Sequence, residues 1–339
     1  MRTICFGEVM LRLAPPGYTR FVQANAFCAT YGGGEANVAV SLANFGADAA
    51  FVTRLPTNEL GQAAVNTLRG YGVDVSHILR GGERIGVYYL EKGASQRPSK
   101  VIYDRAGSAF ATASADAFDW AHIFRGADWF HVTGITPALG ANLASATIAA
   151  AKTAKEMGLC VSCDLNYRKN LWSRTAARTV METLAPFVDL CIANEEDAGD
   201  VFDIHAPATD IVGGVLSRDG YVAVAHRLAE VYGFSRVAIT LRESLSASDN
   251  NWAAMLYDGT DAYFSRKYPV HIVDRVGGGD SFGAGLIYAL QSGMGAQSAL
   301  EFAVAASCLK HTIEGDVNCV TADEVKRLAN GDASGRVQR

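Results

Sequence analysis

The chain contains 339 residues, of which 49% are hydrophobic and 19% charged, and its formal net charge is -5. This composition predicts a large buried core, in one large α/β domain or two smaller ones. The negative charge and the lack of a Lys/Arg-rich run argue against nucleic acid as a partner. No apolar run reaches the ~20 residues of a membrane helix, and residues 1–10 lack the features of a signal peptide. We therefore expect a cytoplasmic protein.

Short apolar runs and helical patterns alternate along the chain. In chain order they predict strand 3–7, helix 35–45, strand 50–55, helix 58–69, strand 128–132, helix 139–157, strand 160–165, helix 175–184, strand 189–193, helix 222–231 and strand 236–241. Strand followed by helix, repeated this often, predicts a mainly parallel sheet covered by helices on both faces.

Two segments interrupt this rhythm. Residues 85–90 and 100–105 are strand-like and are joined by a polar, turn-forming stretch, which predicts an inserted hairpin. One face of this hairpin is expected to cover a site and the other to meet a partner subunit. A second hairpin is predicted at residues 253–266. Residues 203–219 read as a surface excursion, and the polar residues 331–339 as a frayed tail.

The seven cysteines are scattered along the chain. Cys160 and Cys163 form a lone C-x-x-C motif. A redox or zinc site would need a second ligand pair or a thioredoxin-like context, and neither is visible. We therefore interpret these two as structural cysteines of a buried strand.

A glycine-rich segment, VDRVGGGDSFGAG at residues 273–285, stands before a helix of small residues. It is not a Walker A loop, and Phe282 takes the place of the last glycine of G-x-G-x-x-G. Two interpretations remain open. The glycines serve only to pack a helix closely on the sheet, or the amides at the helix start bind a phosphate while Asp280 accepts a proton. Phosphoryl transfer to an alcohol needs this combination of an anion site and a base.

The segment at 274–285 resembles the second signature of the PfkB, or ribokinase, family of carbohydrate kinases. Residues 31–47, YGGGEANVAVSLANFGA, resemble the family's N-terminal G-G-x-x-x-N-x-A block. In the second signature Asp274, Gly277, Gly279 and Asp280 match, while Arg275 and Gly278 stand where Thr and Ala are common. The resemblance covers nearly the whole chain. It implies a ribokinase-like three-layer αβα sandwich with a mainly parallel central sheet and a small β-sheet lid, as one domain over residues 1–330 with lid strands inserted at about 12–31 and 84–106.

The resemblance also implies the roles of individual residues. Asp280 would be the catalytic base, and Gly277, Gly278 and Gly279 would offer their amides to the transferred phosphoryl group of ATP. Residues 194–197 (NEED) look like the family's N-x-x-E magnesium motif, so that Asp197 and Glu196 would face Mg²⁺ through water. A monovalent cation in the Asp274 region is a further expectation. The remaining nucleotide-binding residues implied are Asn166, Asn194, Thr240, Arg242, Ala303 and Ser307.

Side chains on the inserted hairpin indicate which class of sugar is bound. A sugar acid needs planar cationic donors that grip a carboxylate in two places. Residues 310–316 (KHTIEGD), the D-x-N-x-R of residues 164–168 and the lid residues resemble those of 2-keto-3-deoxygluconate kinases. The activity implied is ATP-dependent phosphorylation of the primary hydroxyl of that sugar acid, by a homodimer formed through the lid strands. The substrate-binding residues implied are Gly33, Gly34, Asn37, Tyr89, Tyr103, Arg105, Arg168 and Asp316.

Several alternatives are compatible with the sequence. A family member acting on a neutral sugar such as fructose or ribose, or a non-catalytic sugar-sensing protein of the same fold, would share the main motifs. Asp197 and Glu196 suit the acidic start of a helix equally well, and Ala303 and Ser307 suit a helix core. A nicotinamide-dependent dehydrogenase is excluded, because no G-x-G-x-x-G follows the first strand.

Overall fold

The computed structural model describes residues 1–194, 196–206 and 218–332. The strands of this part are β1 (Arg2–Phe6), β2 (Met10–Ala14), β3 (Cys28–Gly32), β4 (Asp48–Leu55), β5 (Ile78–Arg80), β6 (Val87–Glu91), β7 (Lys100–Asp104), β8 (Trp129–Thr133), β9 (Cys160–Asp164), β10 (Leu190–Ala193), β11 (Arg236–Ser244), β12 (Asp249–Tyr257), β13 (Ala262–Phe264) and β14 (Tyr268–His271). Its helices are α1 (Gly34–Asn44), α2 (Glu59–Gly70), α3 (Trp120–Ile123), α4 (Ile135–Ala138), α5 (Ala141–Glu156), α6 (Arg174–Leu184), α7 (Asp197–Phe202), α8 (Arg218–Tyr232), α9 (Gly278–Gln291), α10 (Ala296–Lys310) and α11 (Ala322–Ala329).

Ten strands form the large sheet, in the order β13-β12-β11-β10-β9-β8-β1-β4-β5, with β14 also paired to β12. The strands from β11 to β5 in this order run parallel, whereas β12, β13 and β14 add an antiparallel extension. Strands β8 and β10 are buried along their whole length, and β1 is buried after its first residue. Such continuous apolar strands are typical of a parallel sheet covered on both faces.

The alternation of side chains along the strands builds two cores. Cys5 and its partner Phe51 belong to the core that packs under α1, α9 and α10. Their neighbours Phe6 and Val52 belong to the opposite core, under α5, α6 and α8. Successive residues of a strand point to opposite faces, so one sheet separates two helical layers. The predicted three-layer αβα sandwich is confirmed.

A second, four-stranded sheet has the order β3-β2-β6-β7 and forms the lid. Strands β6 and β7 are the predicted first hairpin, and β12 and β13 form the second one. The division into one domain over residues 1–330, with lid inserts at about 12–31 and 84–106, stays a prediction. Residues 207–217 of the predicted surface excursion and 333–339 of the tail lie outside the described residues.

The predicted strands and helices of the large sheet are present, with shifted ends. The helix predicted at 139–157 is α5, which begins at Ala141, and the short helix α4 before it was not predicted. Gly140 has φ 148°, a conformation outside the helical region, and this residue separates α4 from α5. Cys160 and Cys163 lie on β9 as predicted and are not in a disulfide.

Within residues 1–194, 196–206 and 218–332, none of the helices is both long and apolar enough to cross a membrane. The cytoplasmic location stays a prediction.

The carboxyl ends of the parallel strands lie at one edge of the large sheet. The chain leaves β1 toward β4 on one side, whereas β8 leads to β9 on the other side. Ligands of open α/β sheets bind in the crevice at such a switch point. Helix α9 begins close to this edge, because Gly34 at the start of α1 faces Asp280 of α9.

Candidate active site

A cavity of about 520 Å³ opens at this edge, between the carboxyl ends of the strands, the start of α9 and the lid. Its size is that of a pocket for a small ligand. Most of the residues implied by the family resemblance lie in its wall: Gly33, Gly34, Asn37, Tyr103, Arg105, Asn166, Arg168, Asn194, Glu196, Asp197, Thr240, Arg242, Gly277, Gly278, Gly279, Asp280 and Asp316.

The structure corrects the prediction that Tyr89 binds the substrate. It does not line the cavity, and its ring packs against Phe27, with 6.1 Å between the ring centroids. The neighbouring Tyr88 lines the cavity instead and lies opposite Tyr103 across the β6–β7 pair. Residues directly opposite each other in a sheet share a face, so Tyr88 and Tyr103 face the cavity together.

The structure also corrects the prediction that Ala303 and Ser307 bind the nucleotide. Both are fully buried, and neither lines the cavity. Ala303 lies against Gly285, where a Cβ on the glycine would be 2.9 Å from the Ala303 Cα. The Ser307 hydroxyl donates a hydrogen bond of 2.7 Å to the carbonyl oxygen of Gly278. These residues pack α10 against α9, so a contact with the nucleotide base is not available to them.

The three consecutive glycines have three different reasons. Gly277 caps α9 with φ 83°, and a Cβ there would lie 1.8 Å from the carbonyl oxygen of Asp316. A Cβ on Gly278 would lie 2.4 Å from the His311 ring, whereas a Cβ on Gly279 would meet no atom within 4 Å. Gly279 is exposed and lines the cavity. The first amides of α9 are thus open to a ligand, as the anion-binding interpretation requires.

Asp280, in the first turn of α9, is held by α1 across the cavity. The Nδ2 of Asn37 donates a hydrogen bond of 2.7 Å to the Oδ2 of Asp280, while the Oδ1 of Asn37 accepts one of 3.3 Å from the amide of Gly33. Burial raises the pKa of Asp280 to about 6, and the hydrogen bond from Asn37 acts in the opposite direction. A carboxyl group with this pKa is ionised at neutral pH and basic enough for general-base chemistry.

The loops after β9 and β10 are joined through Asp197. Its carboxylate accepts the amides of Tyr167 (3.1 Å) and Asn194 (3.0 Å). Asn194 in turn accepts the amides of Glu196 and Asp197 on its Oδ1, as a helix cap does. Asp197 is buried, whereas Glu196 is exposed at the cavity. Asp197 therefore positions the loop, and Glu196 is the more accessible acidic group.

Arg105 of the lid carries a partner that the sequence did not reveal. Its Nε donates a hydrogen bond of 2.8 Å to the Oε2 of Glu8, and its Nη2 contacts the same oxygen. The Oε1 of Glu8 accepts the Ser108 hydroxyl at 2.5 Å. Glu8 follows the end of β1 and lines the cavity. Its charge orients Arg105, whose contacts with Glu8 use one edge of the planar guanidinium group.

Asp316 lies in the cavity wall, and its carboxylate is shared by two lid residues. The Nη1 of Arg12 donates a bond of 2.5 Å to Oδ1, and the Tyr88 hydroxyl donates to Oδ2. Arg12 also pairs with Asp274, whose Oδ2 lies 2.5 Å from Nη2. Both Arg12 and Asp316 are almost fully buried. This network ties β2 and β6 of the lid to the residues beside the glycine turn.

One side of the cavity is basic. Arg242 and Arg275 both line it. Burial lowers the pKa of Arg275, and the positive charge of the nearby Arg242 lowers it further. Two buried polar side-chain atoms there, the Arg275 Nε and the Trp252 Nε1, have no hydrogen-bond partner among the described residues. Two neighbouring guanidinium groups suit an anionic ligand. Arg275 had stood out in the sequence only as a departure from the family pattern.

Comparison with known proteins agrees with this geometry. The model of the pfkB family carbohydrate kinases matches residues 2–323. The crystal structure of 2-dehydro-3-deoxygluconokinase from Thermotoga maritima is similar with 50% identity and a TM-score of 0.94, covering 98% of this chain and 100% of that one. The 2-dehydro-3-deoxygalactonokinase of Haloferax volcanii is 34% identical over 332 residues, which are 98% of either chain. A 2-dehydro-3-deoxygluconokinase of Thermoproteus tenax is 30% identical, with 92% and 89% coverage. The chain belongs to the PfkB family of carbohydrate kinases.

Proposed function

We propose that this protein is an ATP-dependent kinase that phosphorylates the primary hydroxyl of 2-keto-3-deoxygluconate (2-dehydro-3-deoxygluconate), giving 2-keto-3-deoxy-6-phosphogluconate. The observation that carries the proposal is the position of Asp280. Its carboxylate lies in the first turn of α9, beside the open amide of Gly279 and in hydrogen-bond contact with Asn37. An anion site, a base and a polar sugar-facing group thus meet in one cavity.

The chemistry needs few protein groups. Asp280 accepts the proton of the attacking hydroxyl as the new P–O bond forms and the bond to the β-phosphate oxygen breaks. The amides of Gly278 and Gly279 hold the oxygens of the transferred group, where the positive end of the α9 dipole lies. Asn37 orients Asp280 and keeps its Oδ2 directed across the cavity. Positioning of this kind is the main requirement of phosphoryl transfer.

We propose that ATP, the phosphoryl donor, binds on the basic side of the cavity. Arg242 and Arg275 are the residues proposed to receive the phosphates of ATP, and Thr240 and Asn194 also line the cavity. The partner-free Nε of Arg275 supports this placement, because a buried donor is costly unless a ligand accepts from it. The γ-phosphate would then point toward the start of α9.

Magnesium fits the site as an ion held mainly by phosphates and water. Among the described residues, no group of three or more His, Cys, Asp or Glu side chains is arranged to hold a metal ion. Glu196 and Asp200 do face the cavity, with Asp197 fixing the loop behind them. Mg²⁺ keeps several waters and needs only one or two carboxylates. When bound, it neutralises charge on the phosphates.

The acceptor is proposed to be a sugar acid because cationic and phenolic groups surround its place. Arg105 and Arg168 line the cavity together with Tyr88 and Tyr103. The Arg105 Cζ lies 5.7 Å from the centroid of the Tyr103 ring. A planar guanidinium group beside aromatic hydroxyls suits a carboxylate better than a neutral hydroxyl.

The galactonate-derived epimer is the second candidate, because the relative from Haloferax volcanii carries that name. The test is an assay coupled to ADP release, with ATP and Mg²⁺, across 2-keto-3-deoxygluconate, 2-keto-3-deoxygalactonate, fructose and ribose, with ³¹P and ¹³C NMR of the product. We expect the highest kcat/KM for the gluconate-derived acid, phosphorylated at C6. A preference for fructose or ribose would contradict the assignment.

The outer face of the lid is proposed as the dimer surface. Phe27 and Ile102 are 42% and 46% exposed, and Tyr89 lies opposite Ile102 and packs against Phe27. These three residues form an apolar patch on the face of the lid that points away from the cavity. Exposed apolar patches of this kind mark interaction sites. A second copy of the chain is the proposed partner.

A further inference from the structure

A monovalent cation beside Asp274 is implied by the family resemblance, but the residues of that region do not fit one. Lys310, the last residue of α10, is fully buried. Its Nζ donates to the carbonyl oxygen of Ile313 at 3.2 Å and to that of Asp274 at 3.4 Å. Carbonyl oxygens are the ligands that hard cations prefer. The ammonium group of Lys310 therefore already occupies the carbonyl oxygens that would bind such an ion.

The carboxylate of Asp274 is occupied as well. Its Oδ2 contacts the Arg12 guanidinium at 2.5 Å and the amide of Gly315 at 3.2 Å, while its Oδ1 accepts the amide of Val276 at 3.2 Å. A further cation in this space would lie beside the positive charges of both Arg12 and Lys310. Unscreened repulsion between buried like charges makes this unfavourable.

The position of Lys310 connects it to the anion site. Its Cε would lie 3.2 Å from a Cβ on Gly277, the residue that caps α9 with φ 83°. The two carbonyls that it holds belong to Asp274, three residues before that cap, and to Ile313, three residues before Asp316. One ammonium group thus fastens both segments that shape the glycine turn.

We propose that Lys310 is a built-in monovalent cation: its ammonium group permanently holds the turn of residues 274–277 in the conformation that presents the first amides of α9. Lys310 is a positioning residue, since it acts through the turn and not on the substrate. This inference rests on the proposed kinase function. It makes phosphoryl transfer independent of added K⁺.

Two substitutions separate charge from space. Lys310→Ala removes the ammonium group and leaves a space next to the two carbonyl oxygens. We expect K⁺ or NH₄⁺ to bind in this space. Lys310→Met also removes the charge but fills the space with an apolar side chain of similar length. Lys155→Ala is the matched control, because Lys155 lies on α5 and forms its 2.6 Å ion pair with Asp189 at the protein surface.

The experiment compares tetramethylammonium, Na⁺, K⁺ and NH₄⁺ chlorides at equal ionic strength, with kcat and the midpoint of thermal unfolding as readouts. The wild type and Lys155→Ala are expected to show equal kcat in all four salts. Lys310→Ala is expected to lose about ten- to a hundred-fold in kcat in tetramethylammonium, as misplacement of a binding group does. K⁺ or NH₄⁺ should recover part of this loss and raise the unfolding midpoint of this variant alone. Lys310→Met should lose activity without recovery.

Activation of the wild type by K⁺ would overturn the inference, and this result does not require any variant to fold. Equal impairment of Lys310→Ala in every salt, or activity equal to that of the wild type, would overturn it too. If the wild type phosphorylates no sugar acid, the kinase proposal fails. The salt dependence of the unfolding midpoint of Lys310→Ala still decides the cation inference in that case, because that readout does not depend on activity.

Discussion

Asn37 and Asp280 are 243 residues apart in the chain, and they meet across the cavity through a hydrogen bond of 2.7 Å between Nδ2 and Oδ2. The bond joins the start of α1 to the start of α9. The bond occupies the Oδ2 of Asp280. The other oxygen, Oδ1, lies on the side of Gly34, where a Cβ would be 3.7 Å away. Gly34 thereby leaves space at this oxygen for a hydroxyl group.

The first prediction concerns the pH dependence of the reaction. The pKa of Asp280 is raised to about 6, first by burial, and only the deprotonated carboxylate accepts a proton. The value of kcat/KM should therefore rise by about tenfold per pH unit below pH 6 and level off above it. A pH profile with the gluconate-derived acid checks this.

Asn37→Ala should shift the rise of kcat/KM with pH to higher pH. The hydrogen bond from Asn37 is the largest of the contributions that oppose the effect of burial on the pKa of Asp280, so its loss should raise this pKa further. Asn44→Ala is the control, because Asn44 on the same helix bonds to the carbonyl of Asn318 and not to Asp280. If kcat/KM of Asn37→Ala levels off at the same pH as that of the wild type, the observed pH dependence does not come from Asp280.

The second prediction concerns the recognition of the sugar acid. Arg105→Lys keeps a positive charge beside Glu8 but loses the planar fork. We expect KM for the sugar acid to rise about ten- to a hundred-fold, the equivalent of one charge-assisted hydrogen bond, with a smaller change in kcat. Arg84→Lys is the control, because Arg84 pairs with Asp104 on the exposed side of the lid. Equal KM values for the two variants would remove Arg105 from the substrate site.

The third prediction separates the glycines of the helix start. Gly279→Ala meets no neighbouring atom, so its stability should equal that of the wild type, but its methyl group enters the anion site and should raise KM for ATP. Gly277→Ala combines φ 83° with a clash against Asp316, and strain of this kind costs about 1–3 kcal/mol. Denaturant unfolding and steady-state kinetics of both variants check this. Lower stability of Gly279→Ala than of Gly277→Ala would contradict the assignment of these roles.

The fourth prediction concerns assembly through the lid. Ile102→Asp places a charge in the apolar patch formed with Phe27 and Tyr89, and should convert a dimer into monomers in light scattering after size exclusion. Leu60→Asp is the control, because Leu60 is similarly exposed (49%) but lies in the first turn of α2. A wild type that is monomeric, or an Ile102→Asp variant that remains dimeric, would exclude this surface.

The sequence was sufficient for the sheet and for most of the cavity. The alternating strand and helix patterns follow from periodicities that local sequence carries, and the glycine turn with Asp280 is a contiguous motif. For Tyr89 the local sequence was not sufficient. An error of one position in a strand moves a side chain to the opposite face, and only the pairing of β6 with β7 identifies Tyr88 as the cavity residue.

The remaining site residues depend on contacts between distant parts of the chain. Arg12 pairs with Asp316, 304 residues away, and Arg105 with Glu8, 97 residues away. No local pattern reveals such pairs. Ala303 posed a different problem, because a small residue facing a ligand and one packed in a helix interface look alike in a sequence.

The role of Asp280 as the base is tested by Asp280→Asn, with ADP release and sugar-acid binding measured on the same preparation at pH 7. Asparagine keeps the shape and the contact with α1 but accepts no proton at this pH. Because the folded protein raises the pKa of Asp280, the neutral residue should fold at least as stably. We expect a calorimetric Kd near that of the wild type and a kcat lower by about 10²–10⁴-fold. A kcat near that of the wild type would contradict the assignment of Asp280 as the base.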